Sequence, residues 1–215
     1  MIKIVPSILT NDPNKLRETL KICEGIADRV QIDIVDGEYA NNKTIDPIAL
    51  ANIETELLLD FHLMVKNPIN WIEKCANMQA DRIVAQIEMM KSQSEFIGKV
   101  IERGIKVGLA IDLDTKVDAI DIDIINDLDV VLVMSVAAGF GGQKFEPKVL
   151  EKFDELDKIR MHDDTPFKIC DDGGVSFEYI DDLRIKGVDE AAIGERLFEG
   201  NIKDNIEKFI KAAYK

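Results

Sequence analysis

With 46% apolar residues in 215, the chain can bury the core of one domain spanning 1–215, and no Pro-rich or Ser-rich linker divides it. Acidic residues outnumber basic ones 41 to 27, and the resulting net charge of −14 excludes a general role in binding nucleic acid or an anionic membrane. An anionic ligand therefore needs local donors.

Short apolar runs alternate with longer charge-rich amphipathic segments from end to end, the pattern of repeated β-α units around a parallel sheet. Strands are expected at Lys3 to Ser7, Arg29 to Ile34, Leu58 to Met64, Arg82 to Gln86, Lys106 to Ile111, Val130 to Met134, Phe167 to Cys170 and Glu190 to Gly194. Helices are expected at Asn14 to Cys23, Ile69 to Ala76, Glu95 to Arg103, Pro147 to Ile159, Phe177 to Lys186 and Lys203 to Ala213. Gly104 and Gly187 follow charged helix ends, as helix C-caps do. Eight such units in this length predict a single (β/α)8 TIM barrel, with its site at the C-terminal ends of the strands. Cys23, Cys75 and Cys170 lack metal-ligand spacing and read as buried apolar residues in a reducing compartment, the cytoplasm. Met1 to Thr10 show no secretory signature, and no stretch reaches membrane-spanning length.

Three of the strands carry polar groups on alternate residues. Gln31 and Asp33 share one face of the second strand, while Asp60, His62 and Met64 share one face of the third. Asp171-Asp172-Gly173-Gly174 ends the seventh. Carboxylate, imidazole and amide groups thus converge, which points to proton transfer, a metal, or both. Asp36, of opposite parity to Asp33 and followed by Gly37, reads as a turn or cap residue, and Asp171 as structural. His162 reads as a solvated surface residue. The acidic runs Asp112 to Asp129 and Asp154 to Asp164 lack the ligand spacing of a calcium loop and read as solvated helix faces.

Five segments in order, Val5-Pro6-Ser7-Ile8-Leu9, Asp33-x-x-Asp36-Gly37, Asp60-Phe61-His62-Leu63-Met64-Val65, Val133-Met134-Ser135-Val136 with Gly139-Phe140-Gly141-Gly142-Gln143, and Asp172-Gly173-Gly174-Val175, resemble the ribulose-phosphate 3-epimerases over essentially the whole chain. The resemblance implies a barrel of the ribulose-phosphate-binding type that interconverts D-ribulose 5-phosphate and D-xylulose 5-phosphate, in the pentose phosphate pathway. It implies Asp33 and Asp172 as the acid/base pair, and a divalent cation held by His62 and those aspartates. Ser7 matches a substrate contact, as does His62, and Met64 and Met134 match methionines that line the site. Gly139, Gly141, Gly142, Gly173, Gly174 and Gly194 match the phosphate cradle, where glycines let backbone N–H groups approach an anion. Family analogy also implies a homo-oligomer.

The chain departs from the family pattern at several strand ends. Gln31 stands where a histidine ligand is usual, and its neutral carbonyl oxygen would weaken zinc or iron and favour manganese or magnesium, or no metal. Glu195 replaces a serine at the phosphate and would oppose a dianion unless it turned away or paired with Arg196. Ala138 stands for a proline, and Gln86 and Glu38 for histidines. These changes leave two other readings open: a paralogue acting on another ketose or ketose phosphate, and a non-catalytic barrel that binds a metabolite. The sequence argues against a decarboxylase or synthase with an Asp-x-Lys-x-x-Asp array, because no lysine accompanies Asp33 and Asp36 at that spacing.

Overall fold

The computed structural model describes residues 1–161 and 166–214. Eight parallel strands close into a barrel in sequence order: β1 (Lys3–Ile8), β2 (Arg29–Val35), β3 (Leu58–Met64), β4 (Ala80–Gln86), β5 (Lys106–Ile111), β6 (Val130–Met134), β7 (Lys168–Asp172) and β8 (Glu190–Ile193). The helices are α1 (Pro13–Cys23), α2 (Ile72–Asn77), α3 (Gln93–Ile101), α4 (Leu150–Arg160), α5 (Ile180–Ile185) and α6 (Ile202–Ala212). All eight expected strands and all six expected helices form. α2 is preceded by a 3-10 turn at Pro68–Trp71, and α5 is shorter than expected.

Two crossovers contain no α-helix. Between β2 and β3 the chain makes only the 3-10 turn Pro47–Leu50, and between β5 and β6 only Val117–Ala119 and Ile122–Asp127. Aspartate and β-branched residues fill the second crossover, and both are poor helix formers. The reading of Asp112 to Asp129 as a helix face is therefore corrected to capped turns, with Asp121 accepting from the backbone N–H of Asp123 at 3.1 Å. Of the second acidic run, residues up to Arg160 lie on α4, while His162 and its neighbours to Thr165 lie outside the described residues.

Strand alternation produces two apolar layers. Outward residues such as Ile32, Phe61, Leu109 and Ile169 pack against the helices, while Val84, Leu132, Met134 and Cys170 fill the barrel interior. Burying one such side chain contributes roughly 1.5–3 kcal/mol. The three cysteines are buried and free, as expected. Gly104 and Gly187 both take positive φ after helix ends, which L side chains rarely adopt. At Gly187 a Cβ would also stand 2.7 Å from Asp157 Oδ1. Among the described residues no helix is long and apolar enough to cross a membrane.

Candidate active site

The register sets Ser7 beside Gln31 and Asp33 beside His62, while Met134 lies beside Asp172. All six side chains belong to the inward set near the C-terminal rim. Above them opens a cavity of about 590 Å³. Ser7, Asp33, Met64, Met134, Gly139, Gly141, Gly142, Asp172, Gly173, Gly174 and Gly194 all line it.

His62 departs from this set. It is fully buried beneath the cavity floor, so it touches the aspartates rather than reaching a substrate, because its imidazole sits one layer deeper than Met64. Its Nδ1 lies 3.2 Å from Asp33 Oδ1 and 3.3 Å from Asp172 Oδ2. Burial alone would lower the His62 pKa, but hydrogen bonds to Asp172 and Asp33 outweigh it and push the value up to about 9. Its other nitrogen, Nε2, lies 3.3 Å from the Gln86 side-chain amide, and turning that amide so that its oxygen accepts from His62 lets its NH2 group donate to the Ala110 carbonyl at 3.2 Å and to Glu88 Oε2 at 2.9 Å. Glu88 Oε2 also accepts from the Tyr39 hydroxyl at 3.1 Å.

Asp33 is held from both sides. Ser7 Oγ donates to its Oδ2 at 2.7 Å, and Thr44 Oγ1 donates to its backbone carbonyl at 2.8 Å. Asp172 ends β7, one strand-layer above Cys170. Burial raises its pKa, and the nearby Asp33 charge adds to this, against the opposing effect of His62 and Gln31. Gln31 lies between the two aspartates: its Nε2 donates to Asp33 Oδ1 at 2.8 Å and to Asp172 Oδ2 at 2.6 Å.

Asp33, His62 and Asp172 form a candidate metal cluster, with one ligand atom from each lying within 4.8 Å of the others. The fourth expected ligand is turned the other way. With carboxylates on both sides, Gln31 presents its NH2 group and not its carbonyl oxygen, because only the nitrogen can pair with acceptors. Those N–H groups use the very oxygens a cation would need. In this arrangement the residues do not fit a divalent metal.

The loops after β6, β7 and β8 close one end of the cavity, where (β/α)8 barrels commonly hold phosphate. Gly173 and Gly174 take φ of +119° and +63°, and a Cβ on Gly174 would stand 2.3 Å from the Phe145 nitrogen. No other residue permits that approach. Glu195 neither turns away nor pairs with Arg196. Its Oε1 and Oε2 lie 3.9 and 3.8 Å from where Cβ atoms on Gly141 and Gly142 would stand. Arg196 Nη1 instead donates to the carbonyls of Val175 at 3.1 Å and Gly174 at 3.4 Å.

Asp36 serves the turn, as expected: its Oδ1 accepts from Glu38 N and Tyr39 N at 2.8 and 2.9 Å, and its Oδ2 from Lys66 N at 2.7 Å. Glu38 pairs with Lys66 Nζ at 2.6 Å and does not line the cavity. Strand patterns do not reveal Lys15 and Thr19, which line the cavity from α1. Their signal is the short link from β1 to Pro13, which places the first turns of α1 over the barrel rim. Thr44 and Glu88 also escape a reading of the sequence, since neither follows a strand pattern.

A family model described as the ribulose-phosphate 3 epimerase family matches residues 3–198. The chain belongs to that family. Ribulose-phosphate 3-epimerase of Bacillus subtilis (strain 168) is 39% identical over 184 residues, 83% of each chain. The Escherichia coli (strain K12) epimerase is 32% identical over 200 residues, 91% of this chain and 88% of its own. Among solved structures, phosphoribosyl anthranilate isomerase from Thermococcus kodakaraensis covers 100% of both chains with a TM-score of 0.62 at 14% identity, a likeness of fold alone.

Proposed function

We propose that this member of the epimerase family interconverts D-ribulose 5-phosphate and D-xylulose 5-phosphate, with Asp33 and Asp172 as the acid/base pair at C3. The observation that carries this reading is that two carboxyls, from β2 and β7, face one cavity and approach each other closely enough to share one amide donor. A barrel that only binds a metabolite has no need of such a pair. Inverting a carbon beside a ketone means taking its proton on one face and returning one on the other, so two groups must flank it.

Asp33 acts as base toward ribulose 5-phosphate: both its oxygens already accept hydrogen bonds, from Ser7 and Gln31. Asp172, whose burial favours the protonated form, returns a proton to the opposite face. The roles exchange for xylulose 5-phosphate. Met64 and Met134, both nearly inaccessible, wall the floor with thioethers and keep water from the intermediate. Gly139, Gly141, Gly142, Gly173, Gly174 and Gly194 supply the backbone around the phosphate.

Proton NMR of D-ribulose 5-phosphate in deuterium oxide tests the reading. The expected result is deuterium at C3 together with formation of xylulose 5-phosphate. Asp33→Asn and Asp172→Asn should each lower turnover by about 10²- to 10⁴-fold with unchanged circular dichroism. Near-normal turnover in either variant would sink the role given to that residue. Absence of exchange in the folded wild-type protein, with zinc or manganese added or omitted, would overturn the function.

A further inference from the structure

The Gln31 amide occupies the one place where the donor set and a cation compete. Its nitrogen lies 2.8 Å from Asp33 Oδ1, 2.6 Å from Asp172 Oδ2 and 3.4 Å from His62 Nδ1. Gln31 is buried on β2, two residues before Asp33 and facing the same way, so it has no solvent alternative for its N–H groups. Two carboxyls that share a site repel each other unless something positive stands between them. In metal enzymes a cation does this. The Gln31 NH2 group is neutral but gives one N–H to each carboxyl with fixed geometry, because both donors lie in one plane on one nitrogen, beside His62 Nδ1 at 3.2 and 3.3 Å from the same two oxygens.

We propose that Gln31 is a positioning residue that clasps Asp33 and Asp172 in place of a metal ion, so that this chain's epimerase chemistry does not depend on a divalent cation. The proposal rests on the epimerase reading above for its catalytic consequence, but not for its binding consequence. A cation entering the Asp33–His62–Asp172 cluster must break both amide hydrogen bonds, and Gln31 must turn over before it can offer its oxygen. Binding of zinc or manganese is therefore weak. Hydrogen bonding from the amide also sets the angle between the carboxyls and the cavity, which a shape-matched apolar side chain cannot do.

The test takes the wild-type chain, stripped by chelation and checked by elemental analysis, alongside Gln31→Leu and Gln31→His. Calorimetric titration with zinc alone decides the clasp. Little or no binding by wild type, with one tightly held ion in Gln31→His, is the expected result; one tightly held ion in wild type overturns the proposal, whether or not the protein turns over ribulose 5-phosphate. In assays, stripped wild type should keep its full rate, and Gln31→Leu should lose about a hundredfold in kcat with KM little changed, as for a displaced catalytic group. Gln31→His should be slow when stripped and regain rate with zinc. A stripped wild type that is inactive and recovers with added metal also overturns the clasp. Inactivity of wild type in both forms would instead overturn the epimerase reading, and the zinc titration would still decide whether Gln31 keeps a cation out.

Discussion

Asp33, His62 and Asp172 are legible in the sequence because strand alternation puts them on one face of β2, β3 and β7 at a common height. What Gln31 does is not legible, since a sequence gives an amide but not which end of it faces the carboxyls. Opposite parity marks Asp171 as structural, and it does point outward. Sequence could not show that it is fully buried, with Ser135 Oγ donating to Oδ1 and with Oδ2 lacking any hydrogen-bond partner among the described residues. Burial, with Asp172 adding to it, raises its pKa well above the ordinary value despite the Ser135 bond. An acid whose pKa is raised on folding binds a proton in the native state that the unfolded chain releases above about pH 4, so its presence costs stability as pH rises. Asp171→Asn keeps the shape and removes that cost. The variant should match wild type near pH 3 and gain about 1–3 kcal/mol by pH 8, read as a rise in Tm of about 2–4 °C per kcal/mol for a chain this size. An equal difference at both pH values would show that Asp171 does not titrate this way.

At the scale of elements, the strands are legible because each has a continuous apolar face, and their ends differ from expectation by a residue or two at most. β7 runs on through Asp172 because Asp171 and Asp172 pair with β6 and β8 despite low strand propensity. The two crossovers without helices are less legible, since short 3-10 turns leave no helical period. The loop cluster after β6 and β8 carries the point where this chain departs most visibly from a phosphate site. Glu195, exposed at the cavity wall, aims its carboxylate at Gly141 and Gly142 and has no cation paired with it among the described residues. Like charges a few ångströms apart at a solvated rim oppose each other by roughly 1 kcal/mol per charge pair. Glu195→Ser should thus lower KM for ribulose 5-phosphate by about three- to tenfold, with kcat little changed because the reacting carbon lies at the other end of the substrate. A KM that stays put would mean that the loop already carries Glu195 clear of the phosphate.

The whole barrel separates its chemistry from its stability along the axis. Alternation assigns Asp60 to the same face as His62, which is right, but it lies two residues deeper and belongs to the opposite end of the interior. There Arg82 Nε donates to Asp60 Oδ2 at 2.9 Å and its Nη2 to Glu190 Oε2 at 2.6 Å, while Lys168 Nζ meets Glu190 Oε1 at 2.8 Å and Arg29 closes on Asp60. Arg82 on β4 meets Glu190 on β8 only across the interior of the closed barrel, and such a contact has no local signature, which is why this plug is invisible in the sequence. Burial works against ionisation of Glu190, but Arg82 and Lys168 outweigh it and hold its pKa at about 2. A carboxyl depressed on folding stabilises the native state above its unfolded pKa, and that contribution disappears as pH falls from about 4.5 toward 2. Arg82→Met would leave Asp60 and Glu190 buried against an apolar stem. The expected loss is about 3–5 kcal/mol at pH 7, since removing the shared buried partner leaves Asp60 with Arg29 alone and Glu190 with Lys168 alone. In urea melts the loss should shrink at pH 4, where both carboxyls begin to take up protons, and adding Asp60→Asn and Glu190→Gln to Arg82→Met should recover much of it. Turnover of the folded variant should be preserved, because the plug lies at the end of the barrel away from Asp33 and Asp172. A loss that is the same at both pH values, and that the neutral replacements do not relieve, would mean that Arg82 stabilises the barrel through packing of its stem and not through its charge.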